Sequence, residues 1–253
     1  MPTPFQHLAY AKALLGDPAL PEVVRERLWA QRGDFLLGNT AGDVQAVSGQ
    51  PRPETHFYVF PPRGRPRAWR AMLEQYPALT ARDALSPAQI AFVSGYIAHL
   101  IWDEVWAWEV FIPCYIESGI WETPLERNMH HNARRVLLDR EAQRELRAWP
   151  PLVPALRASN PADWLPFVSD VALRQWRDWL VEQLASRATG ETAAVFAARM
   201  GVPVAELEAL AEQVAAGRDD LLLADFDGAL ARYTARGHAE SREAIICYWQ
   251  MVA

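Results

Sequence analysis

One stretch constrains this chain more than any other. From about residue 86 to 112 the sequence is apolar on nearly every side, with Ile90, Phe92, Val93, Tyr96, Ile97, Leu100, Ile101, Trp102, Val105 and Trp106 leaving no polar stripe. Ser86-Pro87 opens it with a capping serine and a proline in the first turn, the signature of a helix start. A helix without a polar face cannot lie on a surface, so other elements must wrap it. The longest apolar run within it, near 88–102, is too short to span a bilayer. The rest of the chain supplies the wrapping. Helical periodicity is readable over 4–15, 21–31, 67–78, 122–147, 167–187, 190–200, 203–216 and from about 219 to the end, whereas strand signals are scarce. A proline-rich connector is expected over 150–166, and no internal repeat or flexible interdomain linker stands out.

The expected fold is therefore all-α: a single multi-helix domain over 1–253, built on a central buried helix at about 86–112. A long irregular loop is expected at about 33–66. Gly33, Gly38 and Gly42 fall within the eleven residues 33–43, and the stretch 44–66 is rich in proline and glycine without helical period. Glycines at such density mark backbone held close to something, and a loop of this length is commonly functional.

Composition narrows the function. A formal charge of −6 argues against a nucleic-acid-binding surface, which draws its affinity from a basic face. The densest basic run, residues 61–67, reads as a solvated loop. The two cysteines, Cys114 and Cys247, sit in apolar contexts and read as buried thiols. The N-terminal residues lack a basic segment followed by an apolar one, so no secretory signal is expected and the cytoplasm is the expected location.

The chemistry is concentrated in the segment 95–106. His99 and Asp103 lie four residues apart on the central helix and project from one face. Burying a carboxylate there is costly unless a cation or several donors compensate it. Imidazole and carboxylate one turn apart can share a metal ion, or form a purely structural hydrogen bond. Asp43 ends the glycine-rich loop and His56 follows in Thr55-His56-Phe57. Each has a plain alternative, as a turn residue and as a surface histidine. His7 lies among apolar neighbours on the first helix, where a histidine is commonly a satisfied core residue. His130 and His131 point about 100° apart, so at most one ring faces inward. His238, among charged residues, is assigned to the surface.

Taken together these segments resemble the zinc-dependent phospholipase C-like family, which is distantly similar to the single-strand-specific zinc nucleases. Four pieces carry the resemblance: His7 in Phe-Gln-His-Leu-Ala, the Phe-Leu-Leu-Gly-Asn-x-x-x-Asp segment ending at Asp43, Thr-His-Phe with His56, and Ala-Phe-x-x-Gly-Tyr-x-x-His-x-x-x-Asp with His99 and Asp103. They cover residues 3–110. The resemblance implies a metal-dependent phosphoester hydrolase that works through zinc-bound hydroxide. Asp43, His56, His99 and Asp103 would hold one zinc, and Asp103 would bridge to a second metal near His7. Asp43 would serve as ligand or as catalytic base. The family's further site is built from two histidines and a glutamate. Here His131 or its neighbour His130 is in place, but Arg134 and Arg135 occupy the glutamate's position. One or two zinc ions are therefore expected, without a third. The substrate implied is a small-molecule or lipid phosphoester, with Phe57, Tyr58 and Trp106 as candidate pocket walls and Trp102 as core. Two rival readings stand beside this one: a metal-binding helical protein without hydrolase activity, and a helical interaction protein whose His–Asp pair is structural.

Overall fold

The computed structural model describes residues 1–62, 67–185, 191–217 and 225–252, and among these it contains helices and no strand. The central helix is α7, Pro87–Trp106, opened by Ser86, whose Oγ accepts the Gln89 N–H at 3.2 Å. Every residue from Ile90 to Trp106 is buried. The helix continues as wider π-type turns, Ala107–Ile116, around Pro113, which cannot donate a backbone hydrogen bond.

Three helices enclose α7. The first is α1, Pro4–Leu15, which starts at a reciprocal cap: Gln6 N–H donates to Thr3 Oγ1 and Thr3 N–H donates to Gln6 Oε1. Next, α2 (Glu22–Ala30) leads into α3 (Arg32–Gly38), which crosses α7 at a notch of two glycines. A Cβ on Gly38 would stand 2.0 Å from the Phe92 carbonyl oxygen, and one on Gly95 would stand 2.1 Å from that of Phe35. Only hydrogen fits at either position, so the backbones meet directly. The last helix, α13 (Phe226–Val252), makes a similar approach where Gly237 lies against the Trp102 indole.

The long irregular loop expected at 33–66 is not what forms. After α3 the chain makes a 3-10 turn at Ala41–Val44, then α4 (Gln45–Ser48) and α5 (Arg52–His56). Only residues 39–40, 49–51 and 57–62 are non-helical within the described part of this stretch, and residues 63–66 of the basic run lie outside the described residues. The glycines read as loop markers are close-packing points instead. Similarly, the connector expected at 150–166 contains α9, Leu152–Ala158.

The remaining helices are α6 (Ala68–Gln75), α8 (Pro124–Arg147), α10 (Asp170–Ala185), α11 (Glu191–Met200) and α12 (Val204–Ala215). One large core runs through most of the chain. A smaller one, from Ala133 and Val136 to Phe196, Leu207 and Val214, fastens α11 and α12 to α8. No helix among the described residues is long and apolar enough to cross a membrane.

Candidate metal centre

Four chain segments deliver polar groups to one point beside α7. His7 comes from α1, Asp43 from the 3-10 turn, His56 from the last position of α5, and His99 and Asp103 from α7. All three histidines are fully buried, and Asp103 is 1% exposed. Asp43 is half-buried and faces the adjoining cavity. Two sets of three ligand atoms lie within 4.8 Å of one another: His7, His99 and Asp103, and Asp43, His56 and His99. His99 belongs to both.

Asp103 is placed between the two sets. Its Oδ1 is 3.3 Å from His7 Nε2, and its Oδ2 is 3.2 Å from His56 Nε2 and 3.9 Å from His99 Nε2. His56 Nε2 lies 3.3 Å from His99 Nε2 and 3.9 Å from Asp43 Oδ1. The His7 ring stacks on that of His99 with centroids 4.1 Å apart.

The surroundings decide which ring nitrogens face inward. His99 Nδ1 is 3.0 Å from the Asn39 carbonyl, which can only accept, so Nδ1 carries the proton and Nε2 presents a lone pair. His56 Nδ1 is 2.9 Å from Thr55 Oγ1, whose own hydroxyl donates to the Arg52 carbonyl. Metal binding would require Nδ1 to donate to Oγ1 and leave His56 Nε2 bare; in the metal-free protein Nε2 is within hydrogen-bond reach of Asp103 Oδ2 and His99 Nε2. The Nε2 atoms of His56 and His99 and the Oδ2 of Asp103 converge on one point. Both ring nitrogens of His7 and Oδ1 of Asp103 are buried and lack a hydrogen-bond partner. Unpartnered imidazole and carboxylate atoms gathered at one buried point fit a cation. Gly42 completes the fit, because a Cβ there would stand 2.2 Å from His99 Nε2.

One cation from the chain itself already faces the cluster. Arg52 Nη2 donates to Asp103 Oδ2 at 2.5 Å and to Tyr58 Oη at 3.2 Å, and its Nη1 is 3.9 Å from Asp43 Oδ1. Burial opposes the charge on Asp103. Arg52, with the imidazoles of His56 and His7, outweighs it and holds the carboxyl well below the usual range. Burial, reinforced by Arg52, lowers His56; burial, reinforced by His7, takes His99 well below the usual histidine value. Both rings are neutral in the folded protein at neutral pH, as ligands must be.

The other expected residues are placed as follows. His131, not His130, is the buried member of its pair, but it lies outside both ligand sets. Its Nε2 accepts the Trp106 indole N–H at 3.1 Å, and the rings of Phe111 and Tyr115 close around it. Tyr58 reaches the cluster through Arg52, whereas Phe57 packs on Phe167 away from it. Trp102 is core, stacked on Tyr10. His238 does have a partner: its Nε2 is 2.9 Å from Asp17 Oδ2, which also accepts from Arg242. The residue that sequence reasoning missed is Arg52. An arginine between two prolines in an apparent loop carries no periodic signal, and its role depends on a helix 51 residues away.

Comparison of the chain with known protein families, with characterised proteins and with solved structures finds no significant match, and the functional reading rests on the geometry of this site.

Proposed function

We propose that this protein is a metal-dependent phosphoester hydrolase of the phospholipase C-like type, holding one or two divalent ions, zinc first among them. The observation that carries the reading is the convergence of three buried imidazoles with Asp43 and Asp103, where His7 and Asp103 Oδ1 have no hydrogen-bond partner. His7, Asp43, His56, His99 and Asp103 are the residues that would hold the metal, with His99 giving its one free nitrogen, Nε2, to a single ion. When bound, zinc supplies a Lewis acid for a phosphoryl oxygen and brings the pKa of water to about 7.

The chain's own residues do the rest. Asn39 and Thr55 fix the two imidazoles with their Nε2 atoms inward. Asp43, the one carboxylate of the set that faces the cavity, accepts the proton of the attacking water at Oδ1. The water oxygen forms the new P–O bond as the ester P–O bond breaks, and the leaving oxygen takes a proton from solvent. Arg52 lines the same cavity and is placed to hold a phosphoryl oxygen. The substrate class is a small-molecule or lipid phosphoester. The cytoplasm is the proposed location, a compartment that suits the unpaired thiols Cys114 and Cys247.

A second reading has one observation in its favour: Arg52 already compensates Asp103, so the cluster would be a structural ion-pair network. Metal analysis of protein purified without chelator or histidine tag separates the two. Near-stoichiometric zinc supports the metal reading, and absence of zinc sinks it. Zinc-dependent turnover across a panel containing p-nitrophenyl phosphate and bis-p-nitrophenyl phosphate then tests the hydrolase. Bound zinc with no turnover on any member would leave a metal-binding protein without this activity.

A further inference from the structure

Beside the cluster the chain leaves a cavity of about 550 Å³. Asp43 and Arg52 line it, as do Arg135 from α8 and Arg199 from α11, while Phe5, Trp176, Trp179 and Phe196 contribute apolar wall. An apolar cavity with several arginines needs an explanation, because a guanidinium that is even partly buried there, as Arg135 is, loses hydration.

Arg135 is the informative one. Its guanidinium lies over the Phe196 ring at 4.1 Å. Nη1 donates to Asn132 Oδ1 at 2.8 Å, Nη2 reaches the Pro2 carbonyl at 3.5 Å, and Nε is buried without a partner. These neighbours are neutral. No carboxylate among the described residues forms an ion pair with Arg135 or with Arg199. The contrast with Arg140 on the same helix is direct, because Arg140 pairs with Glu208. Arg52 is likewise committed, to Asp103. The remaining acid of the lining, Glu191, is eight residues before Arg199, ~12 Å along α11. Burial pushes Arg135 down to about 10, partly offset by Asp43 and Asp103, so it stays charged at neutral pH.

We propose that Arg135, backed by Arg199, is the phosphate-holding residue of this cavity, and that the substrate is a phosphate monoester whose apolar group lies against Phe5, Trp176, Trp179 and Phe196. The proposal rests on the hydrolase reading above and narrows its substrate. A diester carries one negative charge, whereas a monoester, whose second pKa is about 6, carries nearly two at pH 8. Two uncommitted guanidiniums beside a cation-binding cluster match the dianion, and the planar fork of arginine suits its oxygens.

The test is isothermal titration of the full chain with phenyl phosphate and with diphenyl phosphate at pH 8, chelator-treated and zinc-loaded. Phenyl phosphate is expected to bind at least about tenfold more tightly in both states. Arg135→Gln should weaken phenyl phosphate by about tenfold or more and leave diphenyl phosphate within about threefold. Arg199→Gln, at an exposed position, should give a smaller loss in the same direction and serves if the Arg135 variant does not fold. Equal affinity of the two ligands for the parent protein overturns the proposal. So does unchanged phenyl phosphate binding in Arg135→Gln, or in Arg199→Gln where that variant stands in. Arginine-dependent binding with no turnover of any phosphoester would remove the hydrolase and keep the anion site. Turnover that prefers diesters and ignores Arg135 would keep the hydrolase and remove the anion site.

Discussion

Two neighbouring acids on α7 show what separates a structural charge from a site. Asp103 and Glu104 are both buried, 1% and 3% exposed, and they point about 100° apart around the helix. Glu104 is met by donors: Arg67 Nε at 2.7 Å and the Ala68 N–H at 3.2 Å, with Arg67 also bridging to Glu240. Asp103 is met by one guanidinium and three imidazoles, with His7 Nε2 3.3 Å from its Oδ1 and His56 Nε2 3.2 Å from its Oδ2. The charge balance differs accordingly. Burial, only partly offset by Arg67, raises the Glu104 carboxyl, whereas Asp103 is held well below its ordinary value. Burial is common to both and so does not identify the site. What identifies it is the gathering of three imidazoles, all potential metal ligands, around one carboxylate.

The sharpest way to break this comparison is to neutralise each acid in turn. Asp103→Asn should keep its helical circular dichroism and lower zinc affinity by at least ~100-fold, with turnover falling alongside. Glu104→Ala should do the reverse, retaining zinc and losing about 2–3 kcal/mol of stability in urea unfolding, because Arg67 and the Ala68 N–H lose their acceptor. Equal zinc loss in both variants would mean that fold damage, not ligation, governs the metal.

A smaller effect is expected at Gly42. There is no room for a methyl group against His99, so Gly42→Ala must push the ring off the common point. Zinc affinity should drop by about tenfold, a shift readable by competition with a chromogenic chelator. Unchanged affinity would show that His99 can turn away and still serve.

The gentlest probe is pH. In metal-free protein, burial lowers His56, His99 and His131, the last two strongly. Unfolded, each takes up a proton near 6.5; folded, each resists it until lower pH. The unfolded state therefore binds more protons below pH 6.5, and stability is lost as pH falls from 6.5 toward 5. The expected slope is up to about 1.4 kcal/mol per pH unit for each ring, measured by urea unfolding. A stability profile flat across that range would mean that the folded rings take up their protons at the same pH as the unfolded ones.

How much of this was readable beforehand differs by element. The central helix was, because its cap and unbroken apolar surface are local properties of residues 86–106. Asp43, His56, His99 and Asp103 were legible as one candidate set with His7, through their residue types and order. The stretch 33–66 was misread, because helices of four to seven residues show no period and their glycines look like turn signals. Which ring of the His130–His131 pair faces inward was not legible; it is His131, which lies beside the indole of Trp106 and outside the ligand sets.

Residue order alone was enough for an all-helical chain built around one buried helix, since caps and hydrophobic period act over a few residues. It was also enough to name the polar groups that such burial makes expensive. Whether those groups meet, which nitrogens face inward, and that Arg52 and Arg135 stand near them depended on packing between segments tens of residues apart. Distances of 3 to 4 Å across such separations are set by the glycine contacts of α3 with α7 and by the docking of α1 and α8, which no local pattern encodes.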